Sequence, residues 1–263
     1  MILRNILTHA ALLLCAVNFF SQIGQCTETT NGMVLIPFGR FAPLFRAEKD
    51  AKEVPVKSFL LDVLPVTNGD FLEFVRANPK WLRSSVKRLF ADDKYLKHWS
   101  GDLEIGASSN QPVTHVSWFA AKAFCVWKGK RLPNTAEWEY VAAASPTRAD
   151  GQNDPEFMRH VQAWYSSPTP ETLRSVGVGR GNYFGARDLH GLVWEWVSDF
   201  NTAMVTGDAR GDTGLDRQLF CGSGSEGSND KNNFPAFMRY GFRSSLKASY
   251  TVHNLGFRCA KDL

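Results

Sequence analysis

The periodic segments of this chain are short and sharply punctuated, and that limits what it can fold into more than any other feature. The best delimited is the run Trp118-Phe-Ala-Ala-Lys-Ala-Phe-Cys-Val-Trp127, where Ser117 is a good N-cap and Gly129 a stop, so a helix is expected there. Asn134 then precedes Glu137 by three residues, a capping-box arrangement that opens a second helix reaching Ala144. A third helix is expected over Phe71–Arg76, capped by Thr67 or Asn68. The strand candidates are equally brief: Val34–Phe41, which contains a turn, and Val56–Val63. Residues 145–180 are polar and proline-punctuated, a long surface excursion with room for one short helix from Phe157 to Tyr165. Periodicity alone therefore gives a mixed, loop-rich globular domain.

Residues 1–26 have the layout of a cleavable secretory leader. Arg4 is the basic part, Ala10 to Phe20 the apolar part, and Gly24 and Cys26 precede a cut near Thr27. The apolar run is too short for a membrane anchor and is interrupted by Asn18. A lipoprotein reading of Cys26 is weaker, because Ile23-Gly24-Gln25 makes a poor lipobox. The expectation is a periplasmic or secreted protein with no membrane span after leader removal. Residues 27–263 then suit one large domain with a sizeable core. The formal charge of +4 comes from interspersed acids and bases rather than a basic block, so no nucleic-acid partner is implied. The eight Trp and nineteen Phe read as core. Cys125, Cys221 and Cys259 are an odd set, so one thiol is left over whichever pair forms.

Several distinctive segments follow one another in order. They are Arg131-Leu-Pro-Asn-Thr-Ala-Glu-Trp-Glu139, Gly181-Asn-Tyr-Phe-Gly-Ala-Arg-Asp-Leu-His-Gly-Leu-Val-Trp-Glu-Trp-Val197, Phe237-Met-Arg-Tyr-Gly-Phe-Arg-Ser-Ser-Leu246 and Asn254-Leu-Gly-Phe-Arg-Cys-Ala260. Together they resemble the formylglycine-generating enzymes, or sulfatase-modifying factor family, from about Gly32 to Ala260. The resemblance implies an α+β formylglycine-generating-enzyme fold with a C-type-lectin-like core, a single compact domain with little regular secondary structure. It implies a Cys125–Cys259 disulfide, leaving Cys221 spare as a small buried residue. It also implies a groove built from the segments carrying Arg239, Tyr240, Arg243, Ser244, Asn254 and Arg258, with residues 77–106 at its border.

The reaction does not carry over with the motifs. The enzymes of that family bind Cu(I) through a Cys-x4-Cys pair just before the Arg-x3-Arg segment. Counting back from Arg243 puts Asp230 and Pro235 at those positions, and counting forward from Gly222-Ser223 puts Glu226 and Lys231 there. Cu(I) is soft and takes thiolate or thioether ligands, which none of these residues supplies. Leu192 likewise replaces an Asn near the family's structural calcium, leaving Asp188 and Glu195 as candidate calcium ligands. No cofactor is firmly implied.

Each groove residue also has a plain structural reading. Arg258 pairs with Glu195 or Glu137 to hold loops, Ser244 is an ordinary loop serine without a placed base, and His115 and His190 are satisfied structural histidines. Arg239 and Arg243 stand between a structural role and the binding of an anion or carboxylate. No catalytic residue is identified. The functional expectation is an accessory or maturation factor that binds an exported protein or peptide. The alternative is an O2-dependent oxidoreductase acting on a non-sulfatase substrate, as in siderophore maturation.

Overall fold

Alternating apolar residues at both ends of the chain build the central sheet. The computed structural model describes residues 28–29, 32–45, 51–106, 108–201 and 233–263. Strands β1 (Glu28–Thr29) and β2 (Met33–Ile36) lead to β3 (Gly39–Phe41), β4 (Val54–Val56) and β5 (Phe59–Asp62). After a helical middle come β6 (Trp194–Glu195), β7 (Leu255–Gly256) and β8 (Ala260–Asp262). The main sheet is antiparallel in the order β1-β2-β5-β8, with Val34 opposite Leu61 and Leu61 opposite Ala260. The C-terminal strand thus closes the sheet begun by the N-terminal ones. Strands β3 and β4 pair separately, and β6 and β7 form a short parallel pair.

The two single strand candidates of the sequence are therefore four strands. Pro37-Phe38 separates β2 from β3, and Lys57-Ser58 separates β4 from β5. Gly39, at the start of β3, packs closely on α3: a Cβ there would lie 2.2 Å from the Tyr140 hydroxyl oxygen.

The caps act as the sequence foretells. Helix α1 (Asn68–Ala77) starts at Thr67 in a capping box with Asp70, α2 (Trp118–Trp127) at Ser117, and α3 (Thr135–Ala142) at Asn134 in a box with Glu137. Two further helices follow. Helix α4 (Pro155–Ser166) is capped by Asp154, and α5 (Phe234–Ser244) by Asn233 with Pro235 in its first turn. The short helix foreseen inside the polar excursion is thus three turns long, and Val161 and Tyr165 bury its inner face. That segment covers the interior at this point instead of running over the surface.

Aromatic residues fill the space between α1, α2 and the sheet. Phe71 stacks on Phe124 at 5.8 Å, and Phe257 meets Phe124 edge-on at 5.3 Å. Trp99 and Trp196 are 1 % exposed. The composition's reading of the aromatics as core holds for these residues. Cys125 of α2 is bonded to Cys259 beside β8, across 134 residues of chain. Replacing both by Ala should lower stability by about 2–5 kcal/mol, read from the denaturant midpoint. An unchanged midpoint would show that the sheet and core hold these two segments together unaided.

The result is a compact single α+β domain with modest secondary structure. Among the described residues, no helix is long and apolar enough to cross a membrane. Residues 1–26, Cys221 and the alternative thiolate positions Glu226, Asp230 and Lys231 lie outside the described residues.

Candidate functional site

Helix α5 carries the sequence's arginine segment and turns one face inward. Ala236, Arg239, Tyr240 and Arg243 recur at helical spacing, and all four are buried. The two guanidiniums need a carboxylate there, and Glu139 of α3 supplies it. Arg239 donates from Nε to Glu139 Oε1 at 2.9 Å and from Nη2 to Oε2 at 2.7 Å, while Arg243 donates from Nη1 to Oε1 at 2.5 Å. Arg239 Nη1 donates to the Tyr165 hydroxyl of α4 at 3.1 Å. Both guanidiniums also lie over the Trp138 ring, 5.6 and 5.1 Å from its centroid. Burial alone would raise the Glu139 carboxyl, but the two cations outweigh it and hold the group at about 2.

Beside this triad lies a cavity of roughly 210 Å3, bounded by Leu44, Phe157, Val161 and Pro235 on its apolar side and by Arg239 and His190 on its polar side. His190 sits on the loop before β6, with the rings of Trp138, Phe157, Trp164 and Tyr165 around it. Its Nε2 is 2.9 Å from the Ala142 carbonyl oxygen. A carbonyl only accepts, so Nε2 carries the hydrogen and Nδ1 is a bare lone pair. That Nδ1 is enclosed without a partner, so the histidine is only half satisfied. The sequence reading of His190 as fully satisfied is corrected accordingly. Burial first, then the charge of Arg239, push its pKa down to about 3.

A pH dependence follows from this shift. Between its ordinary value of 6.5 and about 3, the unfolded chain takes up a proton on His190 that the folded chain refuses. Stability from this residue is therefore complete above about pH 6.5 and falls on acidification by up to about 1.4 kcal/mol per pH unit. Thermal melts at neutral and mildly acid pH are expected to show this drop. In His190→Gln, which keeps an N–H for Ala142, the slope should be shallower, and an unaltered slope would remove His190 from the account.

The structure separates the six groove residues named from the sequence. Arg239, Tyr240 and Arg243 share the α5 face. Ser244, on the same helix, donates its hydroxyl back to the Gly241 carbonyl at 2.8 Å, so it is positioned as a helix-end residue. Asn254 lies elsewhere, where its Nδ2 donates to Thr169 Oγ1 at 2.9 Å. Arg258 is fully enclosed between the sheet and β6. It donates to both Glu195 oxygens at 2.8 to 3.0 Å and to the carbonyls of Asp62, Val63 and Arg187. Of its two candidate partners Glu195 is the one engaged, while Glu137 is taken by Arg131 at 2.7 Å. Two residues escaped the sequence reading: Glu139, which lines the cavity, and Tyr165, which bonds Arg239. An Arg-x3-Arg pair on an amphipathic helix was itself a sign that a buried carboxylate must face it, and the Glu-Trp-Glu segment held that carboxylate.

The candidate calcium ligands are engaged by protein donors. Glu195 also accepts from Trp138 Nε1 at 2.7 Å, and Asp188 accepts from Arg174 at 2.8 Å and from the Gly177 amide. Among the described residues, no three His, Cys, Asp or Glu groups are arranged to hold a metal. Among the described residues there is also no pair of free thiolates for Cu(I). Pro235 occupies the first turn of α5, and Cys125 and Cys259 are joined to each other.

Comparison with known proteins places this geometry. Residues 20–263 match the family described as Sulfatase-modifying factor enzyme 1-like domain. A Streptomyces coelicolor protein named formylglycine-generating enzyme is 31 % identical over 288 aligned positions, covering 89 % of this chain and 90 % of that one. The Mus musculus protein named inactive C-alpha-formylglycine-generating enzyme 2 is 30 % identical over 287 positions, covering 92 % and 88 %. Among solved structures, PvdO from Pseudomonas aeruginosa superposes with a TM-score of 0.51 at 23 % identity, over 88 % of this chain and 94 % of that one. The last likeness concerns the fold.

Proposed function

This chain belongs to the sulfatase-modifying factor enzyme 1-like family, and on that premise we propose that it is an exported member that binds a protein or peptide segment and aids its maturation without making formylglycine. The observation that carries this reading is the donor set beside α5. Neither count along the sequence puts a thiolate pair before the Arg-x3-Arg segment, and Pro235, at one of the counted positions, lies in the first turn of α5, while the Arg-x3-Arg guanidiniums are spent on Glu139. What remains is a cavity with an apolar side and the Tyr240 and Arg239 edges, suited to holding a side chain rather than oxidising one. The near full-length mouse relative whose name includes the word inactive supports the same view. The leader-like first 26 residues support export.

A second reading, an oxidoreductase acting on a non-sulfatase substrate, is favoured by two observations: Cys125 and Cys259 bond to each other, which leaves Cys221 outside that pair, and a relative 31 % identical is named formylglycine-generating enzyme. Anaerobic Cu(I) titration with oxygen-uptake assays on cysteine-containing peptides separates the two. The first reading expects neither stoichiometric copper nor oxygen uptake. Stoichiometric copper that is lost in Cys221→Ser, together with oxygen uptake, would overturn it in favour of the second.

A further inference from the structure

Helix α2 is apolar on its outer side as well as its inner one. Ala120, Ala121, Phe124 and Cys125 are buried against the core. On the other side Val126 is 62 % exposed and Trp127 38 %, and Trp118 and Phe119 are half-buried. A helix that is apolar all round is ordinarily covered on every side, so the outer side of α2 lacks the cover its composition calls for.

Two turns extend that side. In the first, the Phe90 and Ala91 amides donate to the Lys87 carbonyl at 2.8 and 3.2 Å. The Phe90 ring meets Phe119 of α2 edge-on at 5.4 Å, and Leu89 beside it is 74 % exposed. The second turn, closed by the Tyr250 amide on the Lys247 carbonyl at 2.9 Å, is tied to both neighbours. Trp118 N donates to the Ala248 carbonyl at 3.0 Å, and Asp92 N to the Ser249 carbonyl at 2.9 Å. Tyr250 is exposed there. Three segments far apart in sequence thus present one aromatic and apolar face.

Cations are interleaved with its rings. Lys122 lies over Trp118 at 4.8 Å, Lys128 over Trp127 at 4.5 Å and Lys247 over Tyr250 at 5.8 Å. Among the described residues, these are the lysines placed over a ring, and all three are on this face. Lys87 and Arg88, both exposed, precede Leu89. The acids nearby are engaged or offset. Glu73 lies 3.6 Å from Lys128, Asp92 accepts from Thr251 and from the Lys94 amide, and Asp93 is followed directly by Lys94. Lys87, Arg88, Lys122 and Lys247 leave the face positive.

Shape and charge together indicate what covers it. Leu89, its most exposed apolar residue, stands on a turn rather than in a groove, and none of these residues lines the α5 cavity. A protein partner's anchor needs a pocket to fill, whereas a bilayer accepts a protruding apolar residue and holds the cations around it at its phosphates. Trp and Tyr rings with lysine stems beside them suit the headgroup level, where one end is apolar and the other wet. No helix among the described residues is built to cross a bilayer, so the contact is with its surface.

We propose that this face binds an anionic membrane surface, with Leu89 and Trp127 entering the headgroup region and Lys87, Arg88, Lys122 and Lys247 facing the lipid phosphates. The inference is independent of the reading given for α5, since it concerns where the protein sits and not what it matures.

Vesicle sedimentation of residues 27–263, which hold every described element, tests this without the apolar N-terminal run. The vesicles are phosphatidylcholine, alone or mixed with phosphatidylglycerol, at low and high salt. The expected result is partitioning to the anionic vesicles at least about tenfold stronger than to the neutral ones, and lost at high salt. Lys87→Gln/Arg88→Gln should weaken it by roughly fivefold for each cation removed, and Leu89→Asp by about tenfold. These side chains are exposed, so the variants should melt as the parent does. Phe38→Asp, at a residue 61 % exposed on the turn between β2 and β3, is the control and should bind as the parent does. Equal partitioning to both vesicles, unaltered binding in Leu89→Asp and in the Lys87/Arg88 variant, or an equal loss in Phe38→Asp would overturn the proposal. So would the absence of vesicle binding, which would return the face to an acidic protein partner.

Discussion

Glu139→Ala is expected to destabilise the protein by about 3–5 kcal/mol, because it leaves two buried guanidiniums facing each other without their carboxylate. Arg239 is 7 % exposed and Arg243 4 %, so water cannot replace what is lost. The Tyr165 hydroxyl, the remaining polar contact of Arg239, carries no charge to offset. A denaturant titration should show a lower midpoint. The companion variant Glu139→Leu/Arg239→Met/Arg243→Met removes all three charges while keeping volume, and it is expected to recover most of that loss. If the single variant costs less than about 1 kcal/mol, the triad is not the buried unit described, since that is the range of exposed ion pairs. The same pair bears on function. A triple variant that folds but no longer binds a peptide ligand would assign the guanidiniums to binding as well as to packing.

The second large effect is expected at Arg258. Its guanidinium is 0 % exposed and satisfies Glu195 together with three backbone carbonyls from β5, the residue after it, and the loop before β6. Arg258→Ala breaks a fully buried pair, strands a carboxylate and unbonds those carbonyls, so about 3–5 kcal/mol or more is expected. Arg258→Lys should recover only part of this, because an ammonium lacks the fork that reaches Glu195 and the carbonyls together. Full recovery by Lys in an unfolding titration would mean that charge rather than geometry holds these loops.

Local punctuation was readable without the fold. Ser117, Asn134 with Glu137, and Thr67 with Asp70 act within three residues of themselves, so a short window of sequence contains the whole interaction. The family motifs were readable for the same reason, as runs of neighbouring residues, and through the resemblance they carried the fold and the Cys125–Cys259 bond. The α5 helix was not anticipated as a helix, although its buried positions recur at helical spacing, because the segment was matched as a motif. Arg258 came close: two carboxylates were named for it, and one of them proved to be its partner.

What only the tertiary structure decided is which distant groups share a neighbourhood. Glu139 and Arg239 are a hundred residues apart along the chain, and Asp92 and Thr251 further still. Their encounter depends on how α3, α4, α5 and the loops pack against the closed sheet, which no local period encodes. The protonation states follow the same rule. A histidine's composition says only that it titrates near neutrality, whereas the ring cage around His190 removes water from the charged form and sets its pKa by burial. The sequence by itself determined the N-caps of α1, α2 and α3 and, by the positions of its five cysteines, the lack of a thiolate pair before Arg239. Packing determined which arginines hold the fold together and which imidazole borders a cavity, because burial and charge compensation are properties of three-dimensional neighbours.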